Sequence, residues 1–240
     1  MNYSTLFTTI KGYLENDFPN TTFTGSTGAA VSLTSAEQIN TFITQAEQRI
    51  YNTVLFPALR KNVLGNFTQN NKYLGLPDDF LAIYSIAVVD DDDAYHFLLN
   101  KDVSFLRESY PTPADTGLPA YYALFGPTTT NTSPPTLTNE LSAIVAPTPD
   151  NTYEVELHYY FYPESITVAS SGRTWLGDNF DPVLLYGSLV EAYTFMKGEP
   201  DMIAKYEASY KESLMMAKRL GDGMEKQDQY RSGTPRVPVS

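Results

Sequence analysis

Two histidines, His96 and His158, and 28 carboxylates are the side chains of this 240-residue sequence best suited to chemistry. There is no cysteine, which excludes disulfides, thiolate catalysis and cysteine-ligated zinc or iron–sulfur sites together. Two imidazoles cannot build a three-histidine metal site within one chain. The run Asp90-Asp91-Asp92-Asp93 offers carboxylates to a divalent ion. A calcium loop of the EF-hand type, however, needs Gly at its sixth position and Glu at its twelfth, and those places hold Tyr95 and Lys101. The run therefore reads as a solvated hairpin turn, with adventitious ion binding as the alternative. Glu156 and His158 stand two apart, which puts them on one face of a strand, where such pairs are mostly structural. No nucleophile elbow, phosphate loop or dinucleotide fingerprint accompanies them. Trp175, the only tryptophan, fits either a plug at the junction of sheet and helices or a sugar-stacking platform. The 18 tyrosines suit a mixed core or interfaces.

Charge narrows the choice of partner. Sixteen basic residues against 28 acidic ones give a net charge of -12, the wrong sign for a general nucleic-acid binder. Residues 108–172 contain seven carboxylates and no Lys or Arg, while residues 198–240 are balanced. The acidic body would repel a phosphate backbone, so it favours passage of DNA over its capture. The first residues lack the basic region and apolar core of a signal peptide. The most apolar stretch, 81–89, is far short of the roughly 20 residues of a membrane helix. The expectation is a soluble protein made in a cytoplasm, with the sequons at Asn2, Asn20, Asn66 and Asn131 arising by chance.

The elements that must position these residues change period along the chain. Residues 3–15 predict a helix with Leu6, Ile10, Tyr13 and Leu14 on one face. The stretch 20–32, rich in Thr, Gly and Ser, predicts a loop. Thr34 and Glu37 have the spacing of a capping box. The following helix runs to about Phe56, with Ile39, Phe42, Ile43, Ala46 and Ile50 as its stripe, and Pro57 ends or bends it. Apolar runs at 81–89 and 94–99 flank the four aspartates as a hairpin, and 101–109 predicts a short helix. Tyr153, Val155, Leu157, Tyr159 and Phe161 alternate with polar positions, the mark of a strand with one apolar face. Near the C-terminus Asn179 or Asp181 can cap a helix with Pro182 in its first turn. Leu185, Leu189, Ala192 and Met196 line that helix. Gly198 and Pro200 separate it from a second one carrying Ile203, Tyr206, Tyr210, Leu214 and Ala217, so the pair reads as an antiparallel hairpin. Gly221-Asp222-Gly223 reads as a helix stop. The fold class expected is α+β. A helical core over 1–72 and 173–223 carries a mainly antiparallel β insertion over 73–172, and 224–240 form an extended tail too poor in apolar residues to fold alone.

Several segments together resemble a known family. The strongest is Trp175-Leu176-Gly177-Asp178-Asn179-Phe180-Asp181-Pro182, followed by Leu184-Leu185-Tyr186-Gly187, Glu191-Ala192-Tyr193 and Met196-Lys197-Gly198-Glu199-Pro200-Asp201-Met202. The ending Asp228-Gln229-Tyr230-Arg231-Ser232-Gly233-Thr234-Pro235-Arg236 is similar to the family's closing motif, with weaker echoes at 76–81 and 117–122. The chain resembles the head-to-tail adaptor (connector, head-completion) proteins of short-tailed bacteriophages. That resemblance implies a structural virion protein without enzymatic activity, cofactor or metal. It implies a ring, of twelve subunits, at the head–tail junction. Its partners would be the portal protein, tail or nozzle proteins and further copies of itself, with no membrane. Viral DNA would pass through the lumen, without specific binding, during packaging and ejection. The portal-binding residues it implies are Asp228, Tyr230, Arg231, Ser232, Gly233, Pro235 and Arg236, with Arg231 and Arg236 as ion-pairing groups. A rival from another class is a carbohydrate-binding or hydrolytic virion component using Trp175, exposed tyrosines and carboxylates.

Overall fold

The computed structural model describes residues 1–24, 30–112, 114–126, 128–129, 137–139 and 141–229. The chain divides into two compact units, a mainly helical one made of 1–57 with 163–240 and a mainly β one made of 58–162. The architecture is mixed α+β.

In the helical unit, α1 (Tyr3–Leu14) begins where the Asn2 side chain accepts from the Thr5 amide. Leu6 and Ile10 are fully buried, but Tyr13, expected on the same face, is exposed. A loop is expected over 20–32; instead β1 (Thr21–Thr24) and β2 (Ala30–Leu33) pair antiparallel, with Thr21 opposite Leu33. β-Branched Thr and Val favour strands even where Gly and Ser give the stretch a loop-like composition. The Thr34–Glu37 capping box is formed in both directions and opens α2 (Ser35–Thr53). All five apolar residues expected along its stripe are buried, together with Gln38 and Glu47. The helix stops at Thr53, three residues short of the expected end, and Val54 after it is already extended.

The β unit starts at 58 rather than 73, because β3 (Arg60–Asn66) belongs to its sheet. It continues through β4 (Tyr73–Gly75), β5 (Phe80–Val89), β6 (Tyr95–Phe97), β7 (Leu99–Asn100), α3 (Val103–Ser109) and β8 (Tyr121–Phe125). β9 (Thr128–Thr129), β10 (Leu137–Asn139), β11 (Ser142–Ala146) and β12 (Glu154–Phe161) complete it. The strands form two four-stranded sheets, ordered β3-β12-β5-β6 and β4-β11-β8-β7, and a separate β9–β10 pair. Pairing is antiparallel except between β7 and β8. Ile86, Val88, Val155, Leu157 and Tyr159 of the first sheet share one buried core with Tyr122, Ala143 and Val145 of the second. Leu106 of α3 packs with Ala123, Ile144 and Ala146 in a smaller cluster. The alternation along β12 holds for Val155, Leu157 and Tyr159, but Tyr160, expected on the polar side, is buried as well. The ladder to β5 shifts register on either side of the Tyr159–Tyr160 pair, and the Arg60 guanidinium donates to the Tyr160 hydroxyl at 2.7 Å.

Back in the helical unit, α4 (Trp175–Asn179) is capped by Thr174, whose hydroxyl accepts from the Gly177 amide at 3.2 Å. α5 (Asp181–Phe195) has Phe180 at its cap position and no side-chain cap, so neither Asn179 nor Asp181 plays the expected part. Asp181 instead lies in the first turn beside Pro182, where a negative charge complements the helix dipole. A Cβ at Gly187 would sit 3.2 Å from Ala46 of α2 and 3.3 Å from Tyr210, so glycine lets three helical segments approach closely. α6 (Pro200–Gln229) does not stop at Gly221. A glycine inside a helix costs only about 1 kcal/mol, and the Gly221 position faces Phe56 and Pro57 at 3.8 Å. Residues 224–229 are therefore helical rather than extended.

Candidate functional site

The expected docking residues sit at and beyond the end of α6. Asp228 falls in the last turn of that helix. Tyr230, Arg231, Ser232, Gly233, Pro235 and Arg236 lie outside the described residues. What is visible is the base that carries them. On α2, Arg49 reaches Glu191 of α5 at 3.5 Å and Glu207 of α6 at 3.7 Å, while its guanidinium lies 4.7 Å above the Tyr210 ring. Lys211 pairs with Glu207 at 3.0 Å, and that contact, with Arg49 behind it, holds the Glu207 carboxyl below its usual range. Tyr193 of α5 meets Tyr206 of α6 edge to face. Three helices are thus tied together by one arginine and a tyrosine pair, ahead of the C-terminal segment.

Glu47 is the buried carboxylate that sequence reasoning missed. It is 2% exposed, and one of its oxygens accepts from the Ile166 amide at 3.0 Å, fixing the segment that follows the β unit. Burial pushes this carboxyl above its usual range, and hydrogen bonds from Ser165 and Ile166 draw it partly back. Its other oxygen and the Tyr51 hydroxyl, one turn further along α2, have no partner among the described residues. Burial and the neighbouring Glu47 both raise Tyr51.

The groups singled out from sequence fall into separate, mostly structural places. Asp90 Oδ1 accepts from the Asp92 and Ala94 amides at 2.9 Å each, and Oδ2 lies 2.6 Å from His96 Nε2. The Ala94 amide, followed by His96, holds the Asp90 carboxyl low, so its lone pairs are engaged by its own turn. No group of three or more His, Asp or Glu able to hold a metal occurs among the described residues. His158 Nε2 is 3.7 Å from Glu156, and its Nδ1 is 3.3 Å from the Ser85 hydroxyl across the ladder. The row Ser85–His158–Glu156 has the composition of a hydrolase triad, but the carboxylate contact is longer than a hydrogen bond and Glu156 is bonded by Asn62 instead. Trp175 packs at a tilt within an aromatic trio, 5.2 Å from Phe56 and 5.5 Å from Phe180, all three inside the helical unit. That packing is the role its geometry supports.

A family model for the SU10 adaptor protein matches residues 1–238. The chain belongs to the SU10 adaptor protein family. No curated protein matches it. The match covers both units of the chain, including every segment on which the resemblance to phage head-to-tail adaptors rests. The family is one of structural bacteriophage adaptors, which implies a place in the virion at the head–tail junction, with portal and tail proteins as the general class of partner. No described helix is long and apolar enough to cross a membrane.

Proposed function

We propose that this protein is a non-enzymatic ring subunit that joins the portal to the tail and lines the route of the viral DNA. The observation that carries the reading is the family match over 1–238. In this proposal α5 and α6 act as an antiparallel hairpin on the portal side. Residues 230–240 extend from it into a groove of the portal, with Arg231 and Arg236 pairing to its carboxylates. Asp228, Tyr230, Ser232, Gly233 and Pro235 complete the docking surface. Twelve copies close the ring, and tail or nozzle proteins attach below. The net charge of -12 supports passage of DNA without retention.

The test is co-sedimentation with the phage's portal ring, comparing the full chain, a chain stopped at Gln229, and R231E/R236E. The full chain should travel with the portal and both variants should stay behind while keeping the wild-type circular dichroism. Capture of the stopped chain would move the contact to the helical unit. Failure of the full chain to bind would overturn the adaptor role.

A further inference from the structure

Two exposed surfaces carry apolar side chains that no described residue of their own unit covers, and their net charges are opposite. The first lies on α6. Its buried side is Tyr206, Tyr210, Ala217 and Gly221. Outside that side stand Met216, 59% exposed, and Leu220 at 52%, one turn apart in the row that begins at Glu212, with Met215, also 59% exposed, in the adjoining row. Lys211, Met215 and Arg219 stand four apart in one row and Lys218 flanks it, so around these apolar side chains three cations outnumber the one carboxylate of Glu212. Met and Arg are residue types enriched where protein surfaces meet.

The second surface is on the β unit. Residues 95–100 run along the outer edge of both sheets, since β6 ends one strand order and β7 the other. Leu98 points into the core, while Tyr95, Phe97 and Leu99 alternate outward at 57%, 64% and 59% exposure. An open edge with three exposed apolar residues is a ready template for association. Directly ahead of it stand the exposed carboxylates of Asp91, Asp92 and Asp93, and Lys101 and Asp102 follow, so anions outnumber cations around this stripe.

We propose that the two surfaces bind each other between copies: the Met215–Leu220 face of α6 on one subunit docks on the 95–100 edge of the next. The inference rests on the ring reading above and names the contact that closes the ring. Charge chooses the occupant, because two acidic edges repel and two basic helix faces repel, whereas one of each attracts. A contact between different patches is heterologous, the type that builds rings rather than isolated two-fold dimers.

The test uses two full-length variants, K218E/R219E and D91K/D92K, with assembly followed by sedimentation velocity over a concentration series, alone and with the portal. These side chains are exposed, and Asp90 and Asp93 are left in place to keep the turn. Each variant should need a concentration on the order of tenfold higher than wild type to assemble. An equimolar mixture should recover assembly, with the two chains alternating, and so should one chain carrying all four substitutions. Wild-type assembly with both variants unimpaired overturns this interface and leaves the ring reading standing. So does a mixture that fails to recover. If K218E/R219E loses only portal capture and still self-assembles, the α6 face belongs to the portal and the inference is wrong. A wild type that stays monomeric with and without portal removes the ring reading itself.

Discussion

Replacing Glu47 by Gln should flatten the pH dependence of stability. Glu47 is 2% exposed, with one oxygen accepting from the Ile166 amide at 3.0 Å and the other unpaired among the described residues. Burial raises its pKa, so the folded chain holds the proton at pH values where the unfolded chain has released it. Stability is then full below the unfolded pKa. It declines as pH rises from the ordinary carboxylate range through the raised value, and levels off above it. Each unit of raise removes about 1.4 kcal/mol by neutral pH. Gln keeps a carbonyl for Ile166 and has no charge to expose. Its stability should therefore stay level where the wild type falls, and the slope rather than the absolute level is the readout. Ala, by contrast, leaves the Ile166 N–H without its acceptor, costing about 1–3 kcal/mol at every pH. The assay is urea denaturation of the three proteins from pH 4 to pH 8. Parallel wild-type and Gln curves across that range would show that Glu47 ionises without penalty and would refute the burial argument.

Two further outcomes follow from packing. Phe56 is 1% exposed between Trp175 and Phe180, so Phe56→Ala should cost about 3–5 kcal/mol. It should also red-shift the fluorescence of the sole tryptophan; a loss below about 1 kcal/mol would contradict the trio's role. In the β unit the Tyr159 hydroxyl donates to Asp79 at 2.7 Å, and burial together with that bond pushes Tyr159 up to about 12. Burial would raise Asp79, but Lys61 and Tyr159 outweigh it and hold the carboxyl low. Its stabilising contribution is thus lost as pH falls through that low value. Tyr159→Phe should lower stability by about 1–2 kcal/mol at neutral pH, and the deficit should shrink on acidification. Chemical denaturation at pH 7 and pH 3 measures both; a deficit that grows in acid would reverse the assignment.

Local signals were the legible ones. The Thr34–Glu37 box, the alternation through Val155, Leu157 and Tyr159, and the aspartate turn between β5 and β6 each depend on neighbours within a few residues. β3 was not legible, because an edge strand reading Arg-Lys-Asn-Val-Leu-Gly-Asn is largely exposed and shows no alternation. The continuation of α6 past Gly221 was hidden because a single glycine costs a helix only about 1 kcal/mol, which contacts elsewhere along the helix outweigh. Ser85 opposite His158 is a matter of strand register, and Glu47 beside Ile166 joins residues more than a hundred apart. Neither pairing leaves a trace in spacing. The functional reading came from motif resemblance in 175–202 and 228–236, since no side-chain constellation in the sequence defines docking.

The place where the β unit joins the rest of the chain bears on how the protein folds. β3 begins at Arg60 and β12 ends at Phe161, and Arg60 faces Tyr160 across their ladder. The two ends of the unit are therefore about 5 Å apart, one strand spacing. An unfolded 58–162 would be a long open loop that α2 and α5 must close before they can meet, at an entropic cost that grows with its length. Once the β ladder has formed, that loop is already shut, and α2 and α5 become near neighbours along the effective chain. The pairing of α2 and α5, distant in sequence, then closes a far shorter effective loop, and its entropic cost falls accordingly.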